Sequence, residues 1–170
     1  DCTKTFVAPT LAYAPAPFNT SFPGTLSITP TVFEAMVLDI FSGFIAQGFS
    51  RIYVVNGHGA NIAPLKSAAS KFKSGYIRVM SWWNFHEVNI LRRELYGDWE
   101  GMHATPSEIS ITQTAYRIVC PGNSEDPPER LEPNFLEAHA GDCHGPPDEH
   151  RARFPDGRVG SHSALANPEH

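Results

Sequence analysis

The stretch RIYVVNGHGAN, residues 51–61, decides the fold. A near-continuous apolar run over 51–55 is typical of a parallel strand that is buried on both faces. The run ends in a turn in which His58 stands between two glycines, and a helical pattern begins at Asn61. Ligands of open α/β sheets bind at such strand ends. We therefore predict that His58 faces a ligand crevice, against the alternative that it is a solvated turn residue.

The segments on both sides of this turn predict further strands and helices. Short apolar runs predict strands, and apolar residues at helical spacing after caps such as Thr29-Pro30 predict helices. The strands are predicted over 5–11, 51–55 and 76–83, and the helices over 30–45, 61–73, 85–95 and 106–118. The order β-α-β-α-β-α-α indicates an α/β protein, a three-layer α/β/α arrangement with a mainly parallel sheet. We interpret residues 1–170 as a single domain whose part from 120 to 170 is rich in loops.

Composition excludes several classes of function. The net charge of -5 and the pI near 5.9 argue against a nucleic-acid partner, which needs a basic face. No apolar run approaches the ~20 residues that span a bilayer, so no membrane partner is expected. Three cysteines at unrelated spacings form neither a disulfide framework nor a paired metal motif, and a cytoplasmic location is therefore expected. The sequence starts at Asp1 without an initiator Met or a signal-peptide pattern, which predicts truncation at the N-terminus.

A second histidine lies in the stretch MHATPSEIS, residues 102–110. His103 comes directly before a predicted helix, and Glu108 lies in the first turn of that helix. The run from Thr105 to Glu108 has the pattern of a capping box with Pro at the first helical position, so backbone capping explains Glu108 as well as a functional role does. The helix dipole favours a neutral imidazole at His103, which suits a general base.

Three motifs, taken in their order, resemble the creatininase (creatinine amidohydrolase) family. They are FPGTLSITP at 22–30, NGHGAN at 56–61 and HATPSEIS at 103–110. The stretch FPDGRVGS at 154–161 and the ending ALANPEH are similar to the end of such a protein, so the resemblance covers most of the chain. It implies a creatininase-like fold and a metal-dependent amidohydrolase that cleaves a non-peptide C–N bond in an amide or cyclic amide. It also implies divalent metal ions (Zn, Mn or Fe), a small-molecule amide substrate and a homo-oligomer.

The resemblance also implies roles for individual residues. His58 matches a metal-ligand histidine, and His103 matches the histidine that acts as catalytic acid or base. Glu108 matches a glutamate that is expected at the metals. Trp99 falls where creatininase has a tryptophan over the substrate.

The rest of the expected site belongs to the turn itself. Asn61 is assigned to the substrate site. Gly57 and Gly59 are expected to shape the loop, because glycine lets the backbone turn sharply and approach a ligand.

The sequence also departs from the family pattern. The family's opening segment, with Glu-Gln-His and a following Asp, is not found, and Ala60 stands where creatininase has a metal-binding glutamate. Structural and catalytic zinc sites use at least three protein ligands, so His58 with one carboxylate cannot hold two ions. Two hypotheses follow: an amidohydrolase that this chain forms only in part, or a non-catalytic, degenerate module that assembles through an open sheet edge. A flavodoxin-like nucleotide-binding fold ranks below both, because no G-x-G-x-x-G or P-loop motif occurs.

Other histidines receive simpler interpretations. Asp142-Cys143-His144 and His150 lie in the proline-rich tail, and we interpret them as solvated loop residues rather than as metal ligands. His86 is interpreted as a surface residue.

Overall fold

A computed structural model of the protein describes residues 4–73, 75–116 and 125–170. Its helices and strands follow in the order α1 (Pro30–Ala46), β1 (Ile52–Asn56), α2 (Ile62–Ser70), β2 (Ile77–Ser81), α3 (His86–Tyr96), α4 (Pro106–Ala115), α5 (Phe135–Ala138) and α6 (Pro147–Arg153). Short 3-10 turns lie at Pro17–Asn19, Gly59–Asn61, Trp82–Asn84, Gly97–Trp99 and Ser163–Leu165. Cys2, Cys120 and the end of the helix predicted over 106–118 lie outside the described residues.

The two strands β1 and β2 pair in parallel, with Ile52 opposite Ile77 and Asn56 opposite Ser81. The helix α2 connects them, as parallel strands require a crossover. The predicted α/β class with a parallel sheet is therefore confirmed. Asn56 and Ser81 end their strands side by side, so the polar turn that follows β1 lies at the carboxyl edge of the sheet.

The hydrophobic core lies between α1, α2 and one face of the sheet. The buried residues of α1 recur every four positions and form one stripe along the helix, as in a helix that packs on a core. This stripe packs against α2 and against the inward side chains of both strands. The buried cluster consists of Phe33, Val37, Phe41, Leu65 and Ala68, with Ile52, Val54, Ile77 and Val79 packed against it.

The other face of β1 is open in the described part of the protein. Tyr53 is 48% exposed and Val55 is 64% exposed. The prediction that this strand is buried on both faces is therefore wrong. The reason is that α1 and α2 both pack on the face of Ile52 and Val54, so alternate side chains of the same apolar run point away from the core.

The strand predicted over 5–11 does not form. This segment has no regular secondary structure, and Phe6 and Val7 are 83% and 94% exposed. Apolar and β-branched residues favour a strand only where a neighbouring strand and a packed face are available. Here Pro9 also lacks the N–H that a ladder needs.

The part from 125 onward contains more order than the predicted loops. Met102 N donates to Val159 O at 2.8 Å and Val159 N donates to His103 O at 3.3 Å, which is a short antiparallel bridge. The helix α6 packs against the 3-10 turn Pro17–Asn19. The loop between α5 and α6 lies beside the turn that follows β1, where Ala60 N donates to Asp142 Oδ2 at 2.8 Å. Among the described residues, no helix combines the length and the apolar character that crossing a bilayer requires.

The core position of Leu65 gives a test of this packing. We expect Leu65→Ala to lower the free energy of unfolding by about 2–5 kcal/mol, because a buried leucine leaves a cavity that closes only in part. The matched control Leu26→Ala changes a side chain that is 71% exposed, and its effect should stay within about 0.5 kcal/mol. Urea unfolding followed by tryptophan fluorescence measures both, and equal losses would contradict the described core.

Candidate active site

The turn after β1 is shaped by the side chain of Asn56, which is buried. Its Nδ2 donates to His58 O at 2.8 Å and to Ser81 Oγ at 3.0 Å, and its Oδ1 accepts from His58 N at 3.3 Å. Asn61 Nδ2 also donates to this Oδ1, at 3.2 Å. One buried amide thus ties the turn to both strands and fixes the direction in which His58 points.

Both ring nitrogens of His58 face oxygen atoms. Nε2 lies 2.8 Å from Pro15 O, and Nδ1 lies 3.3 Å from Asp142 Oδ2. Since a backbone carbonyl only accepts hydrogen bonds, Nε2 carries a hydrogen and donates it to Pro15. The imidazole is therefore held between the N-terminal segment and a carboxylate from the far end of the chain.

His103 lies near the other oxygen of the same carboxylate. It precedes Ala104, whose φ of 54° turns the chain into the cap of α4. Its Nε2 lies 3.4 Å from Asp142 Oδ1 and 3.0 Å from His144 Nε2. The structure thus brings His58 and His103 to the two oxygens of one carboxylate, that of Asp142.

Asp142 is the centre of these contacts. Its side chain is 4% exposed, and its Oδ2 accepts a hydrogen bond from Ala60 N at 2.8 Å. A Cβ at Gly59 would lie 2.6 Å from both carboxylate oxygens, so the turn accepts this carboxylate only with glycine at that position. The interpretation of Asp142 as a solvated loop residue is wrong, because the turn 56–61 and the loop after α5 pack together and exclude water from it.

Aromatic rings close the crevice. Phe18, which is buried, lies with its ring centroid 4.6 Å from His144, 5.3 Å from His103 and 5.1 Å from His150. His150 is itself buried and lies 4.5 Å from His144. The solvated interpretation of His150 is therefore also wrong, because α6 packs this ring against the turn that carries Phe18.

Burial sets the protonation of these imidazoles. It is the main reason that the pKa of His103 falls from 6.5 to about 4, with His58 and His150 adding to the effect. Burial also lowers the pKa of His144 to about 4, ahead of the neighbouring His103 and His150. Since desolvation disfavours the charged form, both rings are neutral near pH 7 and keep a lone pair for a metal ion or a proton.

Three side chains of the crevice form a group that suits a metal ion. One donor atom from each of His103, Asp142 and His144 can be chosen so that all three lie within 4.8 Å of one another. Two imidazoles and a carboxylate match a site with three protein ligands and an open position. Within the described ranges no second such group is found, so these residues fit one ion and not the two that the resemblance implies.

Glu108 takes part in backbone capping. Thr105 N donates to Glu108 Oε2 at 3.1 Å, and Glu108 N donates to Thr105 Oγ1 at 3.1 Å. Burial raises the pKa of Glu108 against the effect of these hydrogen bonds. The capping box is thus present as the sequence indicates, and the expected role of Glu108 at a metal stays a prediction.

The two residues assigned to a substrate lie in different surroundings. Asn61 is the last residue of the turn 56–61, and its Oδ1 is buried without a hydrogen-bond partner among the described residues. The Trp99 ring packs under the guanidinium of Arg130, 4.1 Å from its centroid, and against His162. Gly57, unlike Gly59, has open space where a Cβ would lie.

Comparison with known proteins agrees with these motifs. The family model described as "Creatininase: Creatinine amidohydrolase" matches residues 1–170. The chain belongs to the creatininase family. A protein of Mycolicibacterium smegmatis named "Mycofactocin precursor peptide peptidase" is 36% identical over 64 residues. That match covers 38% of this chain and 26% of the relative, so the chain spans about a quarter of the relative's length.

Two residues of the crevice, the carboxylate of Asp142 and the imidazole of His144, were not predicted as site residues from the sequence. Asp142 and His144 are two residues apart, a spacing that lets two donors in an irregular segment face one point, but proline-rich surroundings favoured a solvated interpretation. Phe18 gave no signal, because a lone aromatic residue in an Ala-Pro stretch carries no periodic pattern. Creatininase-family motifs mark the turn and the helix start but not the loop that completes the crevice.

The contact between Gly59 and Asp142 can be tested by adding a methyl group. We expect Gly59→Ala to lower the free energy of unfolding by about 1–3 kcal/mol, because the new Cβ overlaps the anchored carboxylate. Gly57→Ala is the matched control, since nothing lies within 4 Å of its Cβ position. Chemical denaturation of the two variants measures the difference, and equal stabilities would show that Asp142 does not lie against the turn.

Proposed function

We propose that this protein is a metal-dependent amidohydrolase that cleaves the C–N bond of a small amide or cyclic amide in the crevice of His58, His103 and Asp142. Family membership supports hydrolysis of an amide in general. The observation that carries the proposal is the convergence of two motif histidines, 45 positions apart in the sequence, on one buried carboxylate at 3.3 and 3.4 Å. The proposed reaction needs both imidazoles and the carboxylate, whichever imidazole binds the ion.

The chemistry follows from the character of the crevice. A bound divalent ion would supply an activated water molecule and polarise the carbonyl that is attacked. Phe18 is buried against the imidazoles and the Asp142 side chain is 4% exposed, so the carboxylate acts at a lower dielectric than in water. The neutral imidazoles offer lone pairs near pH 7. Hydrolysis then adds one water across the C–N bond and releases a carboxylate and an amine.

The substrate side of the crevice lies by Asn61. Its buried Oδ1 has no partner among the described residues, and a buried acceptor without a donor is costly. An amide N–H of the substrate would supply that donor, which supports Asn61 as a substrate-binding residue. The role of Trp99 over the substrate stays a prediction. So do the identity of the metal among Zn, Mn and Fe and the cytoplasmic location.

The proposal is tested by hydrolysis of a small panel of amides. The panel contains creatinine, a linear carboxamide and a short peptide, the last because the Mycolicibacterium smegmatis relative is named a peptidase. With Zn²⁺ or Mn²⁺ present, mass spectrometry should show uptake of one water by at least one compound. We expect His103→Gln and Asp142→Asn to reduce kcat/KM at least about 100-fold, in the range for loss of a positioned catalytic group.

His86→Gln is the control for the panel, because His86 is an exposed imidazole outside the crevice. It should keep the wild-type rate. The proposal fails if His103→Gln and Asp142→Asn fold and hydrolyse the compound as fast as this control does.

A second candidate function, a non-catalytic assembly module, is favoured by a separate observation. Tyr53 and Val55 expose the outer face of β1, and Phe6 and Val7 are exposed apolar side chains of the N-terminal segment. Exposed apolar surface of this kind is typical of contact sites. We propose a second copy of the chain as the occupant, in line with the homo-oligomer that the resemblance implies.

Light scattering coupled to size-exclusion chromatography tests this candidate. Assembly through β1 predicts a mass above that of one chain and a return to the monomer in Val55→Glu, since burying a charge at an interface is costly. Ile111→Glu, at a residue 55% exposed on α4, is the control and should leave the mass unchanged. A folded, monodisperse monomer at every concentration would remove the candidate.

A further inference from the structure

His103 lies on the loop 99–104 between α3 and α4, and this loop is bonded to a second segment, residues 159–163. The backbone hydrogen bonds between them run from His162 N to Trp99 O at 2.9 Å, from Met102 N to Val159 O at 2.8 Å and from Val159 N to His103 O at 3.3 Å. A Cβ at Gly101 would overlap Ser161 Oγ, so the two segments are in close contact. These bonds join the segments but do not by themselves fix either of them relative to α3 and α4.

The side chain of Glu100 joins the loop to both helices. Glu100 is 9% exposed, and its Oε1 accepts a hydrogen bond from Arg92 Nε of α3 at 2.8 Å. The same Oε1 accepts from Ser107 Oγ in the first turn of α4. Ser107 Oγ also lies 3.0 Å from Oγ1 of Thr105, the N-cap of α4. One carboxylate oxygen thus ties the loop that carries His103 to the helix before it and to the helix after it.

We propose that Glu100 is a positioning residue that holds the loop 99–104 on α3 and α4 and so sets the orientation of the His103 ring in the crevice. Glu100 acts through His103 and lies outside the three family motifs. The inference deepens the proposed function and rests on it only for the effect on hydrolysis.

The stability of the fold does not account for a buried carboxylate at this position. Oε2 of Glu100 is buried without a hydrogen-bond partner among the described residues, and such an atom costs free energy. The side chains of Arg92 and Glu100 are only 17% and 12% exposed. Replacing a buried ion pair by apolar residues of similar volume is often neutral or stabilising. What this ion pair supplies is a fixed geometry, because hydrogen bonds have preferred directions.

Arg92 is itself held in one orientation at the edge of the sheet. Its guanidinium lies over the Trp82 ring, with Cζ 5.2 Å from the centroid, and its Nη1 donates to Trp83 O at 3.4 Å. A planar guanidinium that stacks on an aromatic ring is well suited to such fixed contacts. Both tryptophans directly follow β2, whose end lies beside the end of β1. Arg92 and Glu100 therefore relate the position of His103 to the strand ends from which the turn with His58 starts.

The test compares the double variant Arg92→Met/Glu100→Met with the control Glu34→Gln. The double variant replaces the ion pair by apolar side chains, and we expect it to fold with a urea midpoint close to that of the wild type. Glu34 is a matched control because it also accepts from a serine, Ser67 Oγ at 2.7 Å, and pairs with a cation, Lys71 Nζ at 3.7 Å. These contacts join α1 to the end of α2 and do not involve the loop 99–104.

NMR of 15N-labelled histidine rings reports the orientation of His103 without any substrate. The wild type should show one set of ring signals, which is assigned by its absence in His103→Gln. We expect several sets, or signals broadened by exchange, in the double variant, because the loop then adopts more than one position. Glu34→Gln should keep the wild-type set. Unchanged His103 signals in the folded double variant would overturn the inference.

Two milder variants decide the result if circular dichroism shows that the double variant is unfolded. Glu100→Gln removes the charge, and Ser107→Ala removes one of the two donors to Oε1. Each should alter the His103 signals in the same direction, and wild-type signals in both folded proteins would contradict the proposed positioning role.

Hydrolysis of the amide that the panel identifies adds a kinetic readout. Mispositioning of His103 should lower kcat of the double variant about 10–100-fold, as for a small displacement of a catalytic group. It should lower kcat/KM by the same factor and leave KM unchanged. A purely structural role would lower the urea midpoint but keep the wild-type kcat in the folded protein, and that result also overturns the inference. A protein that cleaves no amide but shows the change in His103 signals keeps the positioning role and loses the proposed function.

Discussion

A buried carboxylate needs partners, and the arrangement of the crevice follows from that requirement at Asp142. Transfer of an unpaired carboxylate from water into a protein interior costs several kcal/mol, so its surroundings must supply hydrogen bonds or opposite charge. Ala60 N–H supplies a hydrogen bond from a turn that is 82 positions away from Asp142 in the sequence, and the His58 ring lies beside the same oxygen. The missing side chain of Gly59 supplies the space. The turn therefore has two tasks, since it connects β1 to α2 and it receives a carboxylate from the C-terminal loop.

The location of the turn depends in turn on the parallel sheet. Because β1 and β2 run in the same direction, Asn56 and Ser81 end side by side, and the Asn56 amide can bond to Ser81 Oγ and to the backbone of His58 at once. In the described part of the chain, the core between α1 and α2 packs on one face of the sheet. The crevice lies at the end of the strands, where the backbone leaves the ladder and its polar groups need other partners. Strand direction thus determines where a buried polar network can form, and the network determines how His58 is oriented.

Local patterns predicted the elements that depend on local interactions. The helices α1 and α4 begin where Thr29-Pro30 and Thr105-Pro106 indicate, because a cap is satisfied within a few residues. The strand over 5–11 and the burial of both faces of β1 were wrong, because each requires a partner that periodicity does not reveal. Dependence on distant partners also limits what can be predicted about the crevice. His58 and His103 could be predicted from short motifs, whereas the burial of Asp142 depends on contacts with residues far away in the sequence. Proline-rich composition describes a backbone without periodic structure, but it does not determine whether that backbone is solvated.

The family motif implies a metal-binding role for Glu108, but in the structure the carboxylate that lies between the two motif histidines belongs to Asp142. The motif carries Glu108 to a metal, but its carboxylate is engaged by the Thr105 N–H at the start of α4. The turn 56–61 offers a backbone N–H and an imidazole, and a carboxylate from any part of the chain can bind there if packing brings it close. In this protein the C-terminal loop provides that carboxylate, together with a second imidazole at His144. The family motifs therefore determine the turn, whereas tertiary packing determines which side chain enters it.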